Sequence, residues 1–323
     1  MTRRPGLTLT EVLVTLAILA FGVLAILTLF PLAASQMAIA VREDRSAQAA
    51  NAADGYFRAY WKSEYVDKVR DGLPVIETFD QVLTDPNSGL SPPQQHGGLP
   101  AAAAGEPSYP LFIDPMGVSA RGVGWMGDGS ATNLPRRSLA LLNAGAQQSF
   151  RVCSQMDSLG YDDNGHPLAD RELRYNWSWV IQRPQNSNKF AATMSVLVYD
   201  FRPNLYAPTN GPEGVYYSAA PLVVPGSTSL NLSYTPGSPP NVKPGSWIMD
   251  VTDPSIGSNK IRHANAYQVV SITPDATGAV MYLELQTPLK KPNDPNVTGA
   301  YMGKFVVLKG VSNVYQRAPL GSD

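Results

Sequence analysis

Residues 12–41 carry no charged side chain at all, and Leu, Ile, Val, Phe and Ala make up most of the run. Eighteen or more apolar residues read as a membrane-spanning helix, and about 20 suffice for the hydrocarbon core. A helix satisfies its own backbone groups, which a single segment in lipid must do. The basic pair Arg3 and Arg4 ahead of the run orients the N-terminus to the cytoplasm. Everything after about residue 42 is then expected outside the membrane, so the first segment is committed to helix and the remainder must build a separate body.

Glu11 stands at the mouth of this run. A carboxylate there is costly to desolvate, so it either reaches the headgroups or has a designated partner. Its neighbours bear on the choice. The stretch Gly6-Leu7-Thr8-Leu9-Thr10-Glu11-Val12-Leu13 resembles the class III signal of type IV prepilins and type II secretion pseudopilins. Residues 12–25 resemble the subclass of minor pilins and minor pseudopilins. The resemblance implies cleavage by prepilin peptidase between Gly6 and Leu7, followed by methylation of the new amine. Glu11 then becomes the fifth residue of the mature chain, where the family carries its glutamate. Leu7 stands where phenylalanine is commoner. The partners implied are other pilin or pseudopilin subunits, the peptidase and the bacterial inner membrane. The resemblance spans about 35 residues and leaves the rest of the chain unread.

Elementary electrostatics agrees with that transfer. A new α-ammonium on Leu7 ordinarily titrates at about 7.7–8.0 and is largely charged at neutral pH. Paired at ~4 Å with a neighbouring subunit's Glu11, it gains about 4 kcal/mol at an effective dielectric near 20, before desolvation is subtracted. Such a pair specifies register more than it adds net stability. Gly22 and Pro31 interrupt the apolar pattern, and Pro31 predicts a kink or melted segment near residues 27–31. Beyond it, Arg42, Glu43, Asp44 and Arg45 mark water, while Ala49, Ala53, Tyr56, Phe57 and Tyr60 continue at helical spacing as a stripe for packing on the body. Two other readings of the N-terminus stay open. One is an ordinary signal peptide, with Ala33 and Ser35 placed for cleavage before Gln36, although the apolar run exceeds the usual 7–15 residues. The other is a plain uncleaved anchor.

Composition describes the body. Charged residues are 16 % of the chain against the ~25 % usual in soluble domains, with 27 Gly and 28 Pro. Such usage favours a loop-rich, β-rich architecture. A formal net charge of −1 gives no basic field for nucleic acid. The single Cys153 excludes an intrachain disulfide and reads as a buried thiol. The expected organisation is a leader at 1–6, a transmembrane and assembly helix at 7–66, an α+β body with a loop insertion at 67–235, and an antiparallel β subdomain at 236–323. A short helix is predicted at 132–148, with Pro135 in its first turn. Strands are predicted at 174–181, 193–201, 214–224, 228–234, 246–251, 264–273, 279–287 and 303–316, the last four as a small barrel-like unit. In the first of these, Tyr175, Trp177, Trp179 and Ile181 alternate onto one face. The fold class is α+β, a long N-terminal helix packed on antiparallel sheet.

Chemistry is sparse. Residues 122–127 match GxGxxG but lack the strand before and the helix after that aim amides at pyrophosphate. His96, His166 and His263 are scattered and fit no zinc spacing. Asp162, Asp163 and Asn164, with Asp170 and Glu172 beyond, form the best calcium candidate, but they miss the EF-hand template and read as a solvated turn. No cofactor and no catalytic residue is nominated. The leading expectation is a non-enzymatic subunit of a type IV pilus or secretion pseudopilus, a minor or tip component. The alternative is a membrane-anchored or secreted extracytoplasmic enzyme or binding protein whose β-rich body does the work.

Overall fold

The computed structural model describes residues 8–72, 83, 104–114, 123–125, 134–137, 153, 175–185, 187–200, 213–219, 222–252, 264–275, 278–290 and 299–322. By its contacts the chain divides into two units, Met1–Ala47 and Gln48–Asp323. Helix α1 runs from Leu9 to Trp61, a π-helical turn follows at Lys62–Val66, and α2 covers Asp67–Arg70. The helical path thus passes the expected end at residue 66. It stops where Gly72 adopts a φ of 66° and its N–H reaches the Val69 carbonyl at 3.4 Å, a left-handed terminus that glycine accepts without a Cβ penalty.

Within the second unit the helix buries the predicted stripe. Ala49, Ala53 and Phe57 are fully buried and Tyr60 nearly so, while Tyr56 is partly buried at the margin. They pack on the first face of a six-stranded sheet. Its strands are β1 (Leu111–Ile113), β2 (Val123–Trp125), β3 (Pro135–Arg137), β4 (Tyr175–Gln182), β5 (Ala192–Asp200) and β12 (Val311–Leu320), in the order β12-β5-β4-β1-β3-β2. All neighbours are antiparallel except β1 and β3. Tyr175, Trp177, Trp179 and Ile181 face the helix as the alternation predicts. Trp179 lies 5.2 Å from Phe57, ring to ring, and its Nε1 donates to the Ala53 carbonyl at 3.1 Å.

The remaining strands close a barrel. These are β6 (Gly214–Ser218), β7 (Ser229–Ser233), β8 (Trp247–Asp250), β9 (Asn265–Pro274), β10 (Val280–Leu285) and β11 (Lys304–Leu308), in the order β10-β7-β6-β11-β8-β9. Leu230, Leu232, Ile248, Val269, Leu283 and Phe305 belong to its core. Closure leaves no open strand edge to manage. A third cluster joins Phe112, Val180, Leu197 and Tyr199 of the six-stranded sheet to Met249, Val251, Val306 and Leu308 of the barrel. The sheet therefore lies between helix and barrel, which is why seven consecutive residues of β4 are buried rather than every second one.

Three expectations change. The predicted helix at 132–148 begins instead as strand β3, because Pro135–Arg137 pairs with both β1 and β2 and Arg136 is held by buried carboxylates; residues 138–150 lie outside the described set. The single strand at 303–316 is two strands in different sheets. Gly310, with a φ of 74°, turns the chain between them, and its carbonyl accepts the Asp200 N–H at 2.8 Å. Finally, 236–244 is a loop inside the barrel rather than a boundary, since β6 and β7 precede it and β12 leaves the barrel for the first sheet.

Buried polar groups tie the layers together. Arg136 Nε donates to Asp114 Oδ2 at 3.0 Å, its Nη2 contacts the same oxygen, and Nη1 donates to Glu213 Oε2 at 3.1 Å. All three side chains are at most 3 % exposed. In the barrel, fully buried Asp250 accepts the Tyr301 hydroxyl at 2.9 Å on Oδ2, and the Thr252 N–H and hydroxyl on Oδ1. Tyr301→Phe removes one donor from a buried carboxylate. Denaturant titration is expected to read a loss of about 1–3 kcal/mol.

Burial also sets an alkaline limit. It pushes the Cys153 thiol from 9.0 up to about 12, with the Asp114 carboxylate adding to the push. It likewise raises the hydroxyls of Tyr60, Tyr267 and Tyr301. Each group stays protonated when folded at a pH where the unfolded chain has released its proton, so the unfolded state binds fewer protons and stability falls as pH rises. The unfolding midpoint is expected to be level from pH 7 to 8.5 and to drop steadily from pH 9 to 11. Cys153 is expected to resist alkylation at pH 8 until the body unfolds.

Candidate functional site: the start of the N-terminal helix

Thr8 sits at the cap position of α1, and Glu11 lies three residues on. The Thr8 N–H donates to Glu11 Oε2 at 2.9 Å, and the Glu11 N–H donates to Thr8 Oγ1 at 3.4 Å. This reciprocal arrangement is a capping box, satisfying two of the donors a helix start leaves open. The Thr8 hydroxyl adds a bond to the same Glu11 oxygen at 3.0 Å and lies 3.0 Å from the Thr10 hydroxyl. Thr15 Oγ1 donates back to the Glu11 carbonyl at 2.9 Å, so the first turns hold their polar groups locally. Both side-chain contacts of Glu11 fall on Oε2; among the described residues Oε1 has none.

The helix beyond is apolar all round. Large hydrophobic residues from Leu9 to Val41 are exposed on every side, Leu9 at 78 %, Phe21 at 73 % and Phe30 at 72 %. A helix with that pattern needs lipid or other helices around it. It is long and apolar enough to cross a membrane. Among the described residues Gly22 has nothing within 4 Å of where a Cβ would stand, so no contact with them demands a glycine there. Pro31 lies inside α1, which continues without a break across residues 27–31. The melted segment expected there is not a feature of this structure.

Gly6 and Leu7 lie outside the described residues, as do Asp162, Asp163, Asn164 and the three histidines. Among the described residues no cluster of His, Cys, Asp and Glu could hold a metal ion. The sequence singles out Glu11 by its charge but not Thr8 as its partner, although Thr-x-x-Glu before an apolar run is a legible capping signal.

A family model described as the prokaryotic N-terminal methylation motif matches residues 1–27. Together with the long apolar helix, the match fits a class III prepilin-like signal. No curated protein and no solved structure matches the chain.

Proposed function

We propose that this chain is a structural subunit of a type IV pilus or type II secretion pseudopilus, a minor or tip component that works by assembly. The observation that carries the reading is the methylation motif on a helix that is apolar all round. Prepilin peptidase cuts between Gly6 and Leu7, the helix waits in the inner membrane with the body on the outer side, and other subunits recruit it. The capping geometry supports a specific part for Glu11. Oε2 is engaged by its own helix start, and Oε1 is the oxygen available to a neighbouring subunit's α-ammonium. One carboxylate can then cap its own helix and fix the stagger of the next.

Glu11→Val tests this in cells of the natural host. The variant is expected to accumulate in the membrane at the parental level, with its share of the sheared filament fraction reduced at least tenfold. Glu11→Gln, which keeps the cap but loses the charge, is expected to fall by a similar factor. Unchanged incorporation of both variants contradicts the assigned role.

A further inference from the structure

A cleft of about 310 Å³ lies between the six-stranded sheet and the barrel, remote in sequence from the N-terminal segment. Buried Leu197 and Met249 contribute its apolar floor and half-buried Trp247 part of its wall. Around this floor stand four carboxamides, Asn265 and Gln268 from β9, Gln286 just beyond β10, and Gln316 from β12. None of the four side chains makes a hydrogen bond among the described residues. Gln286 and Gln316 are exposed at the rim, and Asn265 and Gln268 are half-buried inside it.

From this arrangement we infer that the cleft binds a short stretch of a neutral oligosaccharide. A carboxamide presents a donor pair and an acceptor together, which matches adjacent sugar hydroxyls that each donate and accept. The C–H face of a pyranose is apolar and suits the Leu197 and Met249 floor and the Trp247 wall. Ligand cavities of about 300–1,000 Å³ combine an apolar lining with a few placed polar groups, and this one sits at the small end.

The same chemistry excludes other classes. No lining residue among those described is ionisable, so a phosphate or sugar acid would lose its hydration with no charge to replace it. Among the described residues the cleft therefore has no general acid or base, and the assignment is binding without turnover.

The test uses the full chain in phospholipid nanodiscs, free of glycosidic detergent. Maltotriose, cellotriose and chitotriose are titrated separately, with trigalacturonate as the anionic control, by calorimetry. At least one neutral trisaccharide is expected to bind saturably with Kd below about 1 mM, and the anionic control is not. Asn265→Ala/Gln268→Ala is expected to weaken binding at least tenfold with an unchanged melting curve. If that variant melts differently, Gln316→Ala at the exposed rim serves in its place, with an expected loss of threefold or more. No binding by any neutral probe, tighter binding of trigalacturonate, or unchanged affinity in a folded variant overturns the inference. Because filament assembly is not read in this assay, its outcome is separate from that of the Glu11 variants.

Discussion

Arg136→Met is expected to destabilise the body by about 3–5 kcal/mol, measured by denaturant titration of the full chain. Asp114 is fully buried and Glu213 nearly so, and the guanidinium is the cation in contact with both. It also lies 5.7 Å from the centre of the Phe112 ring. Methionine fills much of the volume but leaves two carboxylates in a dry interface without that positive charge. Burying charge is the costly part, so removing these three charges together is expected to reverse the effect. The triple variant Arg136→Met, Asp114→Leu, Glu213→Leu is expected to recover most of the loss, because well-packed apolar replacements of buried ion networks are often neutral or stabilising. A loss below about 1 kcal/mol in Arg136→Met would show that water reaches these groups and that the interface is open.

Trp179→Ala is expected to cost a similar amount, about 3–5 kcal/mol, by cavity formation. Trp179 is fully buried against Phe57, with Tyr56 stacked at 6.2 Å, and its indole nitrogen bonds a helix carbonyl. It is the central contact by which the second half of α1 lies on β4. Trp179→Phe keeps an aromatic ring there but loses the hydrogen bond, and is expected to lose measurably less. Equal losses in the two variants would assign the stabilisation to the Nε1 bond rather than to ring packing.

The sequence was most legible where structure is local. The apolar run defines α1, and helical spacing places Ala49, Ala53 and Phe57 in the core. Alternation in β4 selects the residues that face the helix. What was hidden depends on partners distant along the chain. Arg136 meets carboxylates 22 and 77 positions away, and nothing local distinguishes it from a surface arginine in the first turns of a helix at 132–148. Barrel closure is likewise a matter of long-range pairing, so the part played by β6 and β7 could not be read from their own residues. Gly310 falls inside the single strand predicted at 303–316, because its turn is a change of sheet fixed by distant pairing partners. The candidate site divides in the same way. Glu11 announces itself as a charge beside an apolar run, whereas the cleft amides come from three separate strand regions and become neighbours only through the fold.

Intact-mass and N-terminal peptide analysis of the protein from membranes of its own host reads prepilin processing without an intermediary. Prepilin processing gives a chain that begins at Leu7 and carries one added methyl group on its amine. A chain that begins at Gln36, or one that retains residues 1–6, would contradict prepilin processing and with it the filament role.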